Sequence, residues 1–166
     1  MKPYVLTSIA GFARSFLHIK FTPNKNFMVS VYECPGQWMQ QSQIDELVAD
    51  LRSIVHVGNK GGELDYGVIK GDKDALRSSI ITVVRERVSL TPVAFNAMRY
   101  LKINSTAMPM TVIHLGLVVI SSKHQGQRLS WLLYTFPVIA LFIRKGFRDC
   151  WVSNVAQIPR VEVSQN

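Results

Sequence analysis

The 166-residue chain is 48% hydrophobic and 18% charged, which excludes a disordered segment and predicts one packed domain over residues 1–166. Its net charge of +8 favours a polyanionic partner (nucleic acid, an anionic membrane or a phosphate-rich cofactor), yet Lys and Arg form no five-residue run, which argues against a nucleic-acid arm. Cys34 and Cys150 are the two cysteines; with no CxxC and no zinc spacing they point to free or buried thiols in a reducing compartment and to no metal site.

Residues 1–26 stay open. Ile9, Phe12, Phe16 and Ile19 allow a helix, and Pro23-Asn24 ends whatever precedes it. Met1-Lys2 and the apolar Tyr4–Phe12 faintly match a signal peptide, but the stretch is short and broken by Thr7, Ser8 and Gly11. Phe27–Tyr32 alternates as a strand, closed by Cys34-Pro35-Gly36. Residues 43–57 keep a helical period through Ile44, Leu47, Val48, Leu51, Ile54 and Val55, with Ser42 as the expected N-cap and Gly58 as the stop. Lys60–Lys73 is glycine-rich and reads as a loop or lid. Ile80–Arg85, Val93–Leu101 and Thr111–Ile120 read as strands; Asp74–Arg77 allows a helix start, and Asn104–Met110 connects the last two strands.

After Ile120 the pattern changes. Ser121–Ser130 is polar, and Leu129–Lys145 recurs at helical spacing, with Pro137 expected to kink it and Gly146 to stop it. Its greasiest part, Trp131–Ile143, falls short of the roughly 20 residues that span a bilayer, so the chain is expected to be cytoplasmic and off the membrane. Cys150–Ser153 is a further short strand. Strand, polar turn, helix and strand make a βαβ unit. Its turn, His124 to Ser130, feeds a helix N-terminus whose unpaired N–H groups and dipole attract phosphate. Gly126 permits close backbone approach, and Lys123, Gln125 and Arg128 add donors. An ordinary βα turn with a surface arginine has the same pattern.

The residues resemble a known family more closely than this physics alone requires. Leu117-Val118-Val119-Ile120, Ser121–His124 and then Gln125-Gly126-Gln127-Arg128-Leu129-Ser130 resemble the signature of the GNAT N-acetyltransferases, Arg/Gln-Gly-x-Gly-x-Gly/Ala after a strand and four variable residues. Gln125 and Gly126 match; Arg128 stands where the family prefers Gly, and Ser130 where it prefers Gly or Ala. Val93-Ala94-Phe95, Arg144-Lys145-Gly146-Phe147 and Trp151–Ser153 with Asn154 extend the resemblance over residues 80–161.

The resemblance implies an α/β (α+β) fold: a mixed, mostly antiparallel sheet flanked by helices, here lacking the last strands. It implies acetyl-CoA as acyl donor, an amine as acceptor, and no metal. The pyrophosphate would sit on the amides of Gln125, Gly126, Gln127, Arg128, Leu129 and Ser130, and the pantetheine would pair with Val118 and Ile120. The amide of Val118 or Val119 would hold the oxyanion. Asn154 matches an Asn that contacts the pantetheine, and reads equally as a strand-end turn. His114 lies about where some members carry a base, and an imidazole titrates near neutrality; a strand histidine satisfied by its neighbours is the alternative. His124 is expected on the phosphate side or in solvent. Val161 stands where the family carries its tyrosine acid, and Ala156–Val161 resembles the start of the following helix. The sequence therefore reads as a C-terminally incomplete member with an exposed edge strand that leaves a homodimer open. Three readings follow: an N-acetyltransferase, a catalytically weakened or inactive CoA-binding or interaction module, and, last, a membrane-surface protein using Trp131–Ile143. Burial of that all-round apolar helix against a sheet accounts for it better.

Overall fold

The β-prone runs all enter one six-stranded sheet, ordered β1-β2-β3-β4-β5-β6. The computed structural model describes residues 16–58, 65–104, 109–144 and 151–154. The strands are β1 (His18–Phe21), β2 (Phe27–Glu33), β3 (Ser79–Glu86), β4 (Pro92–Asn104), β5 (Pro109–Ile120) and β6 (Trp151–Asn154). The helices are α1 (Gln41–Gly58), α2 (Gly67–Lys70), α3 (Lys73–Arg77) and α4 (Leu129–Arg144). Strands β1 to β5 are successively antiparallel, and β6 joins β5 in parallel, as a crossover through α4 requires. This is the mixed, mostly antiparallel sheet that the sequence predicts.

Side chains alternate across the sheet, so each strand feeds two cores. On one face Val29, Val31, Ile80, Val84, Met98 and Ile113 pack under Leu129, Leu133, Ala140 and Leu141 of α4. On the other, Ile81, Val83, Phe95 and Ala97 pack under Ile44, Leu47, Leu51 and Ile54 of α1 and under α2 and α3. Leu133 is fully buried, and a buried leucine stabilises by roughly 1.5–3 kcal/mol. Helix α4 thus buries one stripe against the sheet, as its apolar character predicts, and leaves Trp131, Ile139 and Ile143 exposed on its outer face. Among the described residues no helix is long and apolar enough to cross a membrane.

Within the stretch that the sequence leaves open, Ile19 sits in a strand: Leu17 and Ile19 are buried, and β1 ladders onto β2 from His18 to Phe21. Three readings need correction. Ser42 is not the N-cap of α1. The helix starts at Gln41, the Gln40 carbonyl accepts from Gln43 and Ile44, and the Gln43 side chain accepts the Gln40 amide in return at 3.0 Å. The glycine-rich stretch is not a loop throughout. Gly67–Lys70 is a helical turn anchored by buried Val68 and Ile69, and α3 starts at Lys73. The expected connector after β4 is shorter, because β4 runs to Asn104 and β5 begins at Pro109. Residues 1–15, 59–64, 105–108, the helix end at Lys145–Phe147, Cys150 and the positions 155–166 that include Val161 lie outside the described residues.

Candidate active site

The site begins at an irregularity in β5. Ala97 of β4 pairs with Leu117, but Arg99 pairs with His114, so β5 carries one residue more than β4 across this step. That is a β-bulge, and it needs Gly116: a Cβ there would lie 2.3 Å from the Ala97 carbonyl oxygen. The extra residue also changes which side chains share a face. Ile113, Leu115, Val118 and Ile120 belong to the α4 face, whereas Leu117 and Val119 belong to the α1 face. Alternation places His114 on the α1 face, opposite Arg99.

Next to the bulge lies the described part of β6. β6 pairs with Val112, Ile113, His114 and Leu115 only, ending at Asn154 opposite Leu115. Beyond that point, among the described residues, β5 from Gly116 to Ile120 has no strand on its β6 side. The backbone groups that point away from β4 along Val118, Val119 and Ile120 therefore meet no strand among the described residues. Strand β5 then runs directly into the polar turn.

The turn is shaped by two left-handed residues, Gly126 at φ 81° and Arg128 at φ 56°. Nothing lies within 4 Å of where a Gly126 Cβ would be, so glycine serves conformation there, not space. Arg128 precedes the first residue of α4, and its positive φ explains why a glycine suits this slot. The amides of Leu129 and Ser130 open the helix and have no intrahelical acceptor. Gln125, Gly126, Gln127, Arg128 and Ser130 are exposed, whereas the Leu129 side chain is buried in the core and leaves only its backbone to a ligand. The Gln127 amide already donates to the His124 carbonyl at 3.4 Å.

His124 is not a solvent residue. Its Nδ1 lies 2.8 Å from Ser121 Oγ and its Nε2 3.1 Å from Glu86 Oε1, with the ring edge-on to Phe27. It pins the turn to the end of β3. The Ser89 hydroxyl and then His124 hold the Glu86 carboxyl below its ordinary value.

His114 is half-buried, with Nδ1 3.1 Å from Ser153 Oγ of β6. The ring thus bridges β5 and β6. From the opposite face, Tyr134 of α4 extends its hydroxyl to the Gly116 carbonyl at 3.5 Å, and burial raises its pKa. Sequence reading passed over Tyr134 because its spacing looks like any helix residue, and over Gly116 because its signal was one glycine inside a strand. His114 and Tyr134 thus flank the bulge from opposite faces of the sheet, Asn154 stands opposite Leu115 in register, and the turn residues lie beyond Ile120 at the far end of β5.

No family model matches the chain, and no curated protein matches it. Solved structures do. An acetyltransferase of Trypanosoma brucei superposes with a TM-score of 0.50 at 13% identity, over 79% of this chain and 83% of the other. An aminoglycoside acetyltransferase from an uncultured soil metagenomic sample, solved with trehalose, gives 0.50 at 14% identity over 82% and 80%. A second aminoglycoside acetyltransferase of that kind of origin gives 0.50 at 13% over 80% and 82%. At these identities the likeness is one of fold alone, a mixed α/β fold shared with these acetyltransferases.

Proposed function

We propose that this GNAT-fold chain is an acyl-CoA-dependent N-acyltransferase that moves an acetyl group from acetyl-CoA to an amine. The observation that carries the reading is the bulge at Gly116 of β5, from which the strand runs through Ile120 straight to the N-terminus of α4 with no described strand on its β6 side. An extended pantetheine amide chain matches such an edge, and a pyrophosphate matches the turn at its end.

In this reading Val118 and Ile120 pair with the pantetheine. The amides of Gln125, Gly126, Arg128, Leu129 and Ser130 receive the phosphates, joined by that of Gln127 if it gives up its contact within the turn. The Arg128 guanidinium pairs with the phosphates, and Asn154 holds the arm from the β6 side. The thioester then lies at the bulge, with an amide of Val118 or Val119 toward the oxyanion. The acceptor enters from the α1 face. His114 takes the ammonium proton, the freed amine attacks the carbonyl carbon, and the tetrahedral intermediate collapses with cleavage of the C–S bond. The Tyr134 hydroxyl donates a proton to the departing thiolate, and the second proton, which the nitrogen sheds as the amide forms, passes to solvent and restores the phenol.

Thermal unfolding with and without CoA tests the binding half. At a coenzyme level about a hundredfold above Kd the stabilisation is about 2.7 kcal/mol, and no shift at millimolar CoA removes the proposal. CoA release with an amine panel tests turnover. His114→Ala and Tyr134→Phe should lower kcat more than they raise KM. Binding without release with any amine would leave a CoA-binding module as the surviving reading.

A further inference from the structure

A pocket opens on the α1 face of the sheet, at its β1 edge. Ile19 turns into the core under α4, so alternation sends its neighbour His18 to the other face, where register sets it opposite Tyr32. The two rings stack with centroids 5.2 Å apart. His18 also meets Trp38, in the turn after β2, at 5.0 Å. The indole is tethered, because its Nε1 donates to the Glu33 carbonyl at 2.8 Å. These three rings, with Met39, Glu46 and Arg85, border a cavity of about 170 Å³. Sites for whole small molecules run to roughly 300–1,000 Å³, so this one suits a single compact group.

The lining favours a cation. Aromatic faces are electron-rich and attract positive charge. Arg85 is paired with Asp50 of α1, and the two side chains are only 14% and 21% exposed, so together they add no net charge. Glu46 is exposed and takes part in none of the ion pairs among the described residues. Its charge is therefore left to the pocket. The first-turn amides of α1, which would otherwise attract an anion, are occupied: Gln43 and Ile44 donate to the Gln40 carbonyl.

The kind of cation follows from the acceptors. A primary ammonium needs three. The Gln43 side-chain oxygen is already taken by the Gln40 amide, which leaves the Glu46 carboxylate and the Tyr32 hydroxyl. A fully methylated nitrogen needs none, and its methyl groups pack on the rings. We propose that this pocket binds a small organic cation of the quaternary-ammonium class, its charge against the aromatic rings and toward Glu46. The site is separate from the acyl-transfer residues: Tyr32 on β2 and His114 on β5 are three strands apart, at least about 14 Å. The proposal therefore stands or falls whether or not the chain uses CoA.

Choline and 3,3-dimethylbutan-1-ol test it, since the alcohol keeps the shape with carbon in place of the charged nitrogen. The readout is an NMR titration of the full chain, followed at the Trp38 indole N–H and, in Trp38 variants, at the Tyr32 ring protons. Choline should bind saturably and at least about fivefold tighter than the alcohol, the effect of one cation–π contact. Glu46→Gln, at an exposed position, should weaken choline by about twofold or more and leave the alcohol unchanged. Trp38→Leu should abolish the preference, and Trp38→Phe, which keeps an aromatic face, should retain part of it. Each ratio is taken within one variant, so loss of folded protein cancels, and Glu46→Gln decides by itself where a Trp38 variant does not fold. Equal affinity for choline and the alcohol, tighter binding of methylamine than of choline, or a choline preference unmoved by Glu46→Gln would overturn the proposal.

Discussion

Replacing Gly116 by alanine perturbs the one point on which the geometry of the bulge depends. The added Cβ would lie 2.3 Å from the Ala97 carbonyl oxygen, well inside any real contact. The carbonyl oxygen is backbone and the Cβ is fixed by the backbone of the paired strand, so neither can rotate away as a side-chain tip would. Overpacking costs roughly 1–3 kcal/mol, and a backbone clash in mid-sheet belongs at the upper end, about 3 kcal/mol. For a chain of this size that is a fall in Tm of roughly 6–12 °C. Gly126→Ala is the internal control. There the Cβ meets nothing within 4 Å, and the cost comes from φ 81° alone. A left-handed non-glycine residue costs roughly 1–2 kcal/mol, partly offset by about 0.5–1 kcal/mol from the stiffer unfolded chain. Thermal scans of both variants with and without CoA decide the matter. Gly116→Ala should lose at least about twice as much Tm as Gly126→Ala. A Gly116→Ala protein within about 2 °C of the parent would refute the bulge argument.

Four further outcomes follow from named contacts. Arg128→Gly should raise stability by about 0.5–1 kcal/mol, because it relieves φ 56°, while weakening CoA binding through the lost guanidinium; a lower Tm would contradict the strain. Glu33→Gln should cost about 3 kcal/mol in chemical denaturation, since it leaves Arg144 without its buried counter-charge; a neutral result would show that pair to be dispensable. Burial first, and then Glu33, raise the Tyr100 pKa. A raised value means the contribution is complete below pH about 10, the unfolded value, and is lost as pH climbs toward the folded one. Tyrosinate absorbance should therefore show one phenol that ionises only as the protein unfolds in alkali. Glu86 is depressed, so its contribution is present above pH about 4.3 and lost as pH falls through its folded value. In a carboxyl NMR titration Ser89→Ala should raise its midpoint more than His124→Ala does, and the opposite order would disprove the assignment of causes.

Much of this molecule is legible in local sequence because the signals are local. The alternation in Phe27–Tyr32, the helical period from Ile44 to Val55 and the polar turn between Ile120 and Leu129 each bury or expose their own side chains, and each element forms where its pattern lies. The turn's chemistry was equally readable, since a helix N-terminus after a glycine attracts an anion in any fold. Open readings and misreadings came where competing patterns overlap. Ile19 fits a helical stripe as well as a strand, and only pairing with β2 selects the strand. Ser42 is a good cap by type, yet Gln40 and Gln43 cap each other first.

The sequence by itself determined the two amphipathic helices, the strand runs and the anion-attracting turn, because periodicity and turn chemistry need no distant partner. Tertiary structure alone decided the register of β6 on β5, which face His114 takes before the bulge, and that Tyr134 stands over Gly116. It alone gathered His18, Tyr32 and Trp38 around one pocket and neutralised Glu33 with Arg144 from across the chain. Register and strand pairing are properties of pairs of segments. A single residue of slippage moves every side chain to the other face, so no local pattern can encode them.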